Sequence, residues 1–148
     1  MTTTLVLAQA AASLVMVGVI WMVQLVNYPL MTYVPPDAFV PYEHEHRRRI
    51  SAIVGPAMAV ELVTAVALTV RRPEGVPGPL LGLGLVLLAV ALGKTALVSA
   101  PIHGRLTRGR DDRLLARLID TNWVRTAAWS GRGAVALAVV WLVEPGSG

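Results

Sequence analysis

Four runs of apolar residues, each about as long as a bilayer core is thick, leave this chain few ways to fold. They cover about residues 5–28, 50–70, 80–100 and 122–143, and the first carries no charge from Leu5 to Tyr28. A helix needs roughly 20 such residues to cross the hydrocarbon. With 55% hydrophobic residues among 148 and a mean hydropathy of +0.61, the chain is more apolar than a soluble domain of its length. The first run is long and has no positive flank before it, which argues against a cleaved signal peptide. The expected fold is all-α: an integral, multi-pass four-helix bundle in the cell membrane.

The bundle should consist of two hairpins. Helices 1 and 3 are expected to end at Pro29 and Pro101, each followed by a charged loop and another span. Glu61 lies 32 residues past Pro29 and Arg132 lies 31 past Pro101, so the two charges should share a depth. Two hairpins of like orientation imply a pseudo-twofold axis along the membrane normal. In the first polar loop, Pro35-Pro36-Asp37 reads as a turn capping a short interfacial helix, with the second long helix starting near Pro41. In the third, Asp111-Asp112 reads as a helix start, and Leu114, Leu115, Leu118 and Ile119 recur as on a surface-lying helix. Gly82, Gly84 and Gly93 offer close packing surfaces on helix 3.

The net charge of +4 is borne almost wholly by arginine, Lys94 being the only lysine, a composition expected of a GC-rich bacterial genome. In a membrane protein such arginines fix topology and meet anionic head groups, so lipids are the expected partners and nucleic acid is not. Arg47–Arg49 and five arginines between Arg105 and Arg117 outweigh Arg71 and Arg72. The two large polar loops are therefore expected in the cytoplasm and both termini outside. A bundle this small can also form a homo-oligomer. Without cysteine there is no disulfide, thiolate, iron–sulfur or cysteine-zinc chemistry.

Charged groups at bilayer depth cost about 2.5–3.5 kcal/mol each on insertion scales, so they should converge inside the bundle. Those in the spans are Glu61, Lys94, Arg125 and Arg132, with Gln24 and Asn27 as polar company. One acid among three bases makes a net-positive interior, suited to an anionic or phenolic ligand. Glu61 is expected to pair with Arg132. Asn122, Arg125, Trp129 and Arg132 follow at steps of three, four and three, on one helical stripe. His44 and His46 point about 200° apart on a helix and cannot share a metal. A metal site would need His46 or His44, a glutamate and His103 from the other loop, with Glu43, His46 and His103 as the candidate set, suited to copper or non-haem iron; a site without metal also fits.

The pattern Gln24-x-x-Asn-Tyr-Pro-Leu30, Tyr42…His46-x-x-Arg49-Ile50, Gly55-Pro56-x-Met58 and Glu61-Leu62 resembles a group of small bacterial four-span proteins, mostly uncharacterised. Pro101-x-His103-x-x-Leu106 and Asn122-Trp123-x-Arg125-Thr126-x-x-Trp129-x-x-Arg132 extend that likeness over most of the chain. More distantly, the four-span layout and the second-half residues resemble the anthrone-oxygenase-like family. That resemblance implies oxidation of an activated, phenol-like aromatic by molecular oxygen. His103 or Glu61 would be the base, and Arg125 and Arg132 the anion holders. Read from the residues themselves, His46 is a further catalytic candidate, and Asn122, Trp129, Gln24, Asn27 and Lys94 are candidates for the substrate site.

Two functions fit the sequence. One is a membrane oxygenase or oxidoreductase acting on a lipophilic substrate. The other is a non-catalytic membrane protein, binding lipid or small molecules or serving assembly, whose buried charges are structural. An open polar cavity favours the first; a closed salt bridge favours the second.

Overall fold

The computed structural model describes Thr2–Val143; the expected tail from Glu144 to Gly148 lies outside the described residues. Four helices long and apolar enough to cross a membrane make up the chain: α1 Thr2–Met31, α2 Pro36–Val70, α3 Gly78–Leu106 and α4 Asp112–Val143. The protein is an all-helical membrane protein, and no strand occurs among the described residues.

The helices run past the boundaries the prolines suggested. α1 continues through Pro29 to Met31, and α3 through Pro101 to Leu106. Directly before each proline the helix widens into a π-turn, Val23–Asn27 in α1 and Thr95–Ser99 in α3. Tyr28 N–H donates to the Val23 carbonyl and Ala100 N–H to the Thr95 carbonyl, five residues back in each case. Proline offers no N–H and crowds the carbonyl four residues behind it; a wider turn there absorbs the misfit and lets the helix resume. The two π-turns are 72 residues apart, as are Pro29 and Pro101, so the internal repeat reaches into the backbone.

The expected short interfacial helices are instead the opening turns of α2 and α4. Pro35 is extended at the N-cap, as a residue before proline must be, and Pro36 opens α2 with Asp37 in its first turn. At 35 residues α2 is about 52 Å long at 1.5 Å per residue, well beyond a hydrocarbon core of about 30 Å. The apolar run over residues 50–70 accounts for about 30 Å of that length. Gly75, at φ 78°, turns the α2–α3 connection.

Outward-facing positions are apolar, among them Leu7, Leu14, Val63, Val86, Leu97 and Trp141, as expected of a lipid-facing exterior. Inside, three apolar layers stack along the bundle. Val6, Leu68, Leu81 and Val139 form the layer nearest the α2–α3 turn. Met16, Ile20, Leu88 and Trp129 form the middle layer. Tyr28, Phe39, Leu106 and Leu118 close the other end. Polar side chains occupy the two gaps between these layers.

Candidate functional site

The lower gap holds Gln9 and Ser13 of α1, Glu61 of α2 and Arg132 of α4. Glu61 is fully buried and Arg132 is 1% exposed. Arg132 Nε and Nη2 donate to Glu61 Oε2 at 3.0 and 2.9 Å. Ser13 Oγ donates to Glu61 Oε1. Gln9 is assigned with its amide oxygen toward the guanidinium, where it accepts from Arg132 Nη2 at 2.8 Å and Nη1 at 3.3 Å. Every ionic group here is neutralised, and the guanidinium lies over Gly84, where any Cβ would collide with Nη1. Of the three glycines expected to pack closely on α3, only Gly84 does so; Gly82 and Gly93 face open space. The spacing that paired Glu61 with Arg132 in sequence thus brings them together, in a closed cluster.

The upper gap differs. The continuous α2 carries Glu43 inward to full burial, and the extended α3 carries His103 to meet it. His103 Nδ1 lies 2.6 Å from Glu43 Oε1, and its Nε2 lies 3.0 Å from the Tyr28 hydroxyl. An ionised Glu43 only accepts, so Nδ1–H donates to it and Nε2 accepts from the Tyr28 O–H. Glu43 Oε2 has no hydrogen-bond partner among the described residues. The His46 ring stands 5.7 Å from that of His103 and stacks on Tyr42 at 6.1 Å, centroid to centroid. His46 precedes the apolar run that begins at Ile50; burial, then the neighbouring His103, depress its pKa, against the opposing pull of Glu43.

Arg125 completes the group. It is 7% exposed. Nη1 donates to Asn122 Oδ1 at 2.9 Å and to Ser99 Oγ at 3.3 Å, while Nε has no partner among the described residues. Asn122 Nδ2 donates to Gln24 Oε1 at 2.8 Å. Gln24 and Ser99 both sit in the π-turns, which turn them inward. Among the described residues no carboxylate pairs with Arg125.

A cavity of about 140 Å³ opens onto this group, with Tyr28, His46, His103, Ser99 and Arg125 in walls otherwise mainly apolar. Its exposed lining residues are Arg47 and Ser51 of α2 and Ala100 of α3, so the mouth lies between those two helices.

Other expected site residues stand apart. Asn27 lines an adjoining groove with Tyr42, Glu45 and Arg49, and this groove shares His46 and Ile50 with the cavity. Lys94 is half-buried, and its side chain makes no hydrogen bond or ion pair among the described residues. Trp129 is fully buried below the cavity with its Nε1 unpartnered. Glu43, His46 and His103 approach one another, but no three histidine or acidic side chains among the described residues stand as a metal-holding group. Tyr28 joins the site although its position near a helix end reads as an interface anchor. Gln9 and Ser13, four residues apart on an otherwise apolar helix, carried the signal for the lower cluster.

No family model, curated protein or solved structure matches this chain.

Proposed function

We propose that this membrane protein takes up a lipophilic weak acid, of phenol-like chemistry, in the cavity between α2 and α3. The observation that carries the reading is Arg125: a buried guanidinium held only by neutral groups, at the wall of a mainly apolar cavity. Such a charge is costly unless a ligand anion completes its hydrogen bonds. The Tyr28–His103–Glu43 chain is the proton acceptor. A ligand O–H passes its proton to His103, directly or through Tyr28, and the imidazolium is stabilised by Glu43 while the anion rests on Arg125. Arg47 at the mouth adds a second cation, and the mouth between helices suits a ligand arriving from lipid.

Carried further along the resemblance to anthrone oxygenases, the same anion is primed for molecular oxygen. A ring CH2 would become C=O, one oxygen atom entering the product and the other leaving as water. In this reading the base is His103, because both Glu61 oxygens are engaged by Ser13 and Arg132. The polar loops and this end of the bundle would face the cytoplasm. Closure of the lower cluster supports a purely structural role for Glu61 and Arg132.

The test is absorbance titration of the protein in nanodiscs with an alkyl-nitrophenol, whose phenolate band reports ionisation. The expected result is a bound phenolate at a pH where the free phenol is protonated. Losing charge-assisted hydrogen bonds of about 1.5–3 kcal/mol, Arg125→Met should weaken binding about 10- to 100-fold. Binding of the neutral phenol alone, unchanged in Arg125→Met, contradicts the proposal.

A further inference from the structure

On another face of the bundle a second cavity, of about 190 Å³, lies between the last turns of α3 and the first turns of α4. It is lined by Leu97, Val98, Pro101, Ile102, Arg105 and Arg117. Leu97, Pro101 and Arg105 follow at steps of four, so one stripe of α3 passes from apolar to cationic toward the helix end. Arg117 of α4 lines the same groove. Leu97 is 80% exposed. The polarity of the groove thus runs the way a membrane leaflet does, acyl level below and head-group level above.

Among the described residues, some arginines at this end of the bundle have a carboxylate partner and others, Arg105 and Arg117 with Arg108 and Arg113, have none. Arg48 and Arg49 are paired with Glu45, and Arg110 with Asp112. Arg110 further donates to the carbonyls of Thr32 and Val34, tying the first polar loop to the third. Arg105 and Arg117 have no carboxylate within salt-bridge distance among the described residues, and their guanidinium groups make no hydrogen bond there. Two guanidinium forks lining one groove match a phosphate better than a single carboxylate.

We infer that this groove is a binding site for the phosphate of an anionic glycerophospholipid, seated between Arg105 and Arg117 with an acyl chain along Leu97, Val98 and Pro101. The inference is independent of the Arg125 cavity, which shares no lining residue with it.

Native mass spectrometry of the full chain, released from nanodiscs of mixed phosphatidylglycerol and phosphatidylcholine, tests it. The wild type should retain one phosphatidylglycerol in preference to phosphatidylcholine, and Arg105→Gln/Arg117→Gln should lose at least tenfold of that retention. Arg108→Gln, outside the groove, should keep it. Should the double variant fail to fold, Arg117→Gln alone should show a reduced phosphatidylglycerol share. Equal retention of the two lipids by the wild type, or undiminished phosphatidylglycerol on the groove variants, overturns the site. Displacement by millimolar inorganic phosphate would assign a soluble anion and overturn the lipid occupant; resistance to it supports the lipid.

Discussion

Two buried arginines stand seven residues, about two turns, apart on α4 and meet opposite surroundings. Arg132 is received by a carboxylate, an amide and a glycine that makes room for it. Arg125 is received by Asn122 and Ser99, both neutral, and faces a cavity. An ion pair sealed between layers fixes how helices pack. A guanidinium left without a counter-charge at a cavity wall has capacity to bind something else. The same residue type on the same helix therefore does two jobs, and the second helix decides which: α2 supplies Glu61 to one arginine, while its Glu43 goes to His103 instead.

The largest effect should come from breaking the closed side. Glu61→Gln leaves Arg132 buried without an anion and should cost about 3–5 kcal/mol of stability, read from unfolding in mixed micelles. Adding Arg132→Met to that variant should recover part of the loss, which would show the two changes to be coupled. Gly84→Ala attacks the same cluster sterically; displacing the guanidinium should cost about 1–3 kcal/mol. A Gly84→Ala protein as stable as the wild type would mean that Arg132 does not lie against α3.

On the open side, ligand binding should respond more than stability. Tyr28→Phe removes one hydrogen bond and should lower stability by only about 1 kcal/mol. His103→Gln should change the pH dependence of nitrophenol binding. In the wild type the proton stays on the protein, so affinity should be flat below the ligand pKa. In the variant only the anion binds, and affinity should rise about tenfold per pH unit over the same range. Equal slopes in both proteins would remove His103 as acceptor. The smallest effect is expected outside the bundle. Hydrogen bonds from Arg48, then Arg49, hold the exposed Glu45 carboxyl down to about 2, so it stays ionised across ordinary pH. Glu45→Ala should leave both unfolding and ligand binding unchanged.

The architecture was legible because four apolar runs of bilayer length admit little else, and the depth match between Glu61 and Arg132 survived because both lie in spans. The upper site was not legible in the same way. Prolines 29 and 101 read as helix stops, but each is absorbed by a π-turn, so α3 carries His103 onward into the bundle. Likewise Pro41 reads as a helix start, whereas α2 begins at Pro36 and passes through it. Glu43, expected in the exposed first turns of the second helix, is instead buried, which offsets a positive charge the spans alone would leave. The interior is accordingly less positive than the residues of the spans indicate. Side-chain partners across helices depend on register, and two one-residue insertions into the helical ladder are invisible to periodicity.

The most direct test sets the two arginines side by side: unfolding free energies of Arg125→Met and Arg132→Met in the same micelles. A stranded Glu61 should destabilise Arg132→Met by about 3–5 kcal/mol, whereas Arg125→Met, which strands no charge, should lose little stability or gain some. Equal losses in the two variants would contradict the division between a sealed pair and an open site.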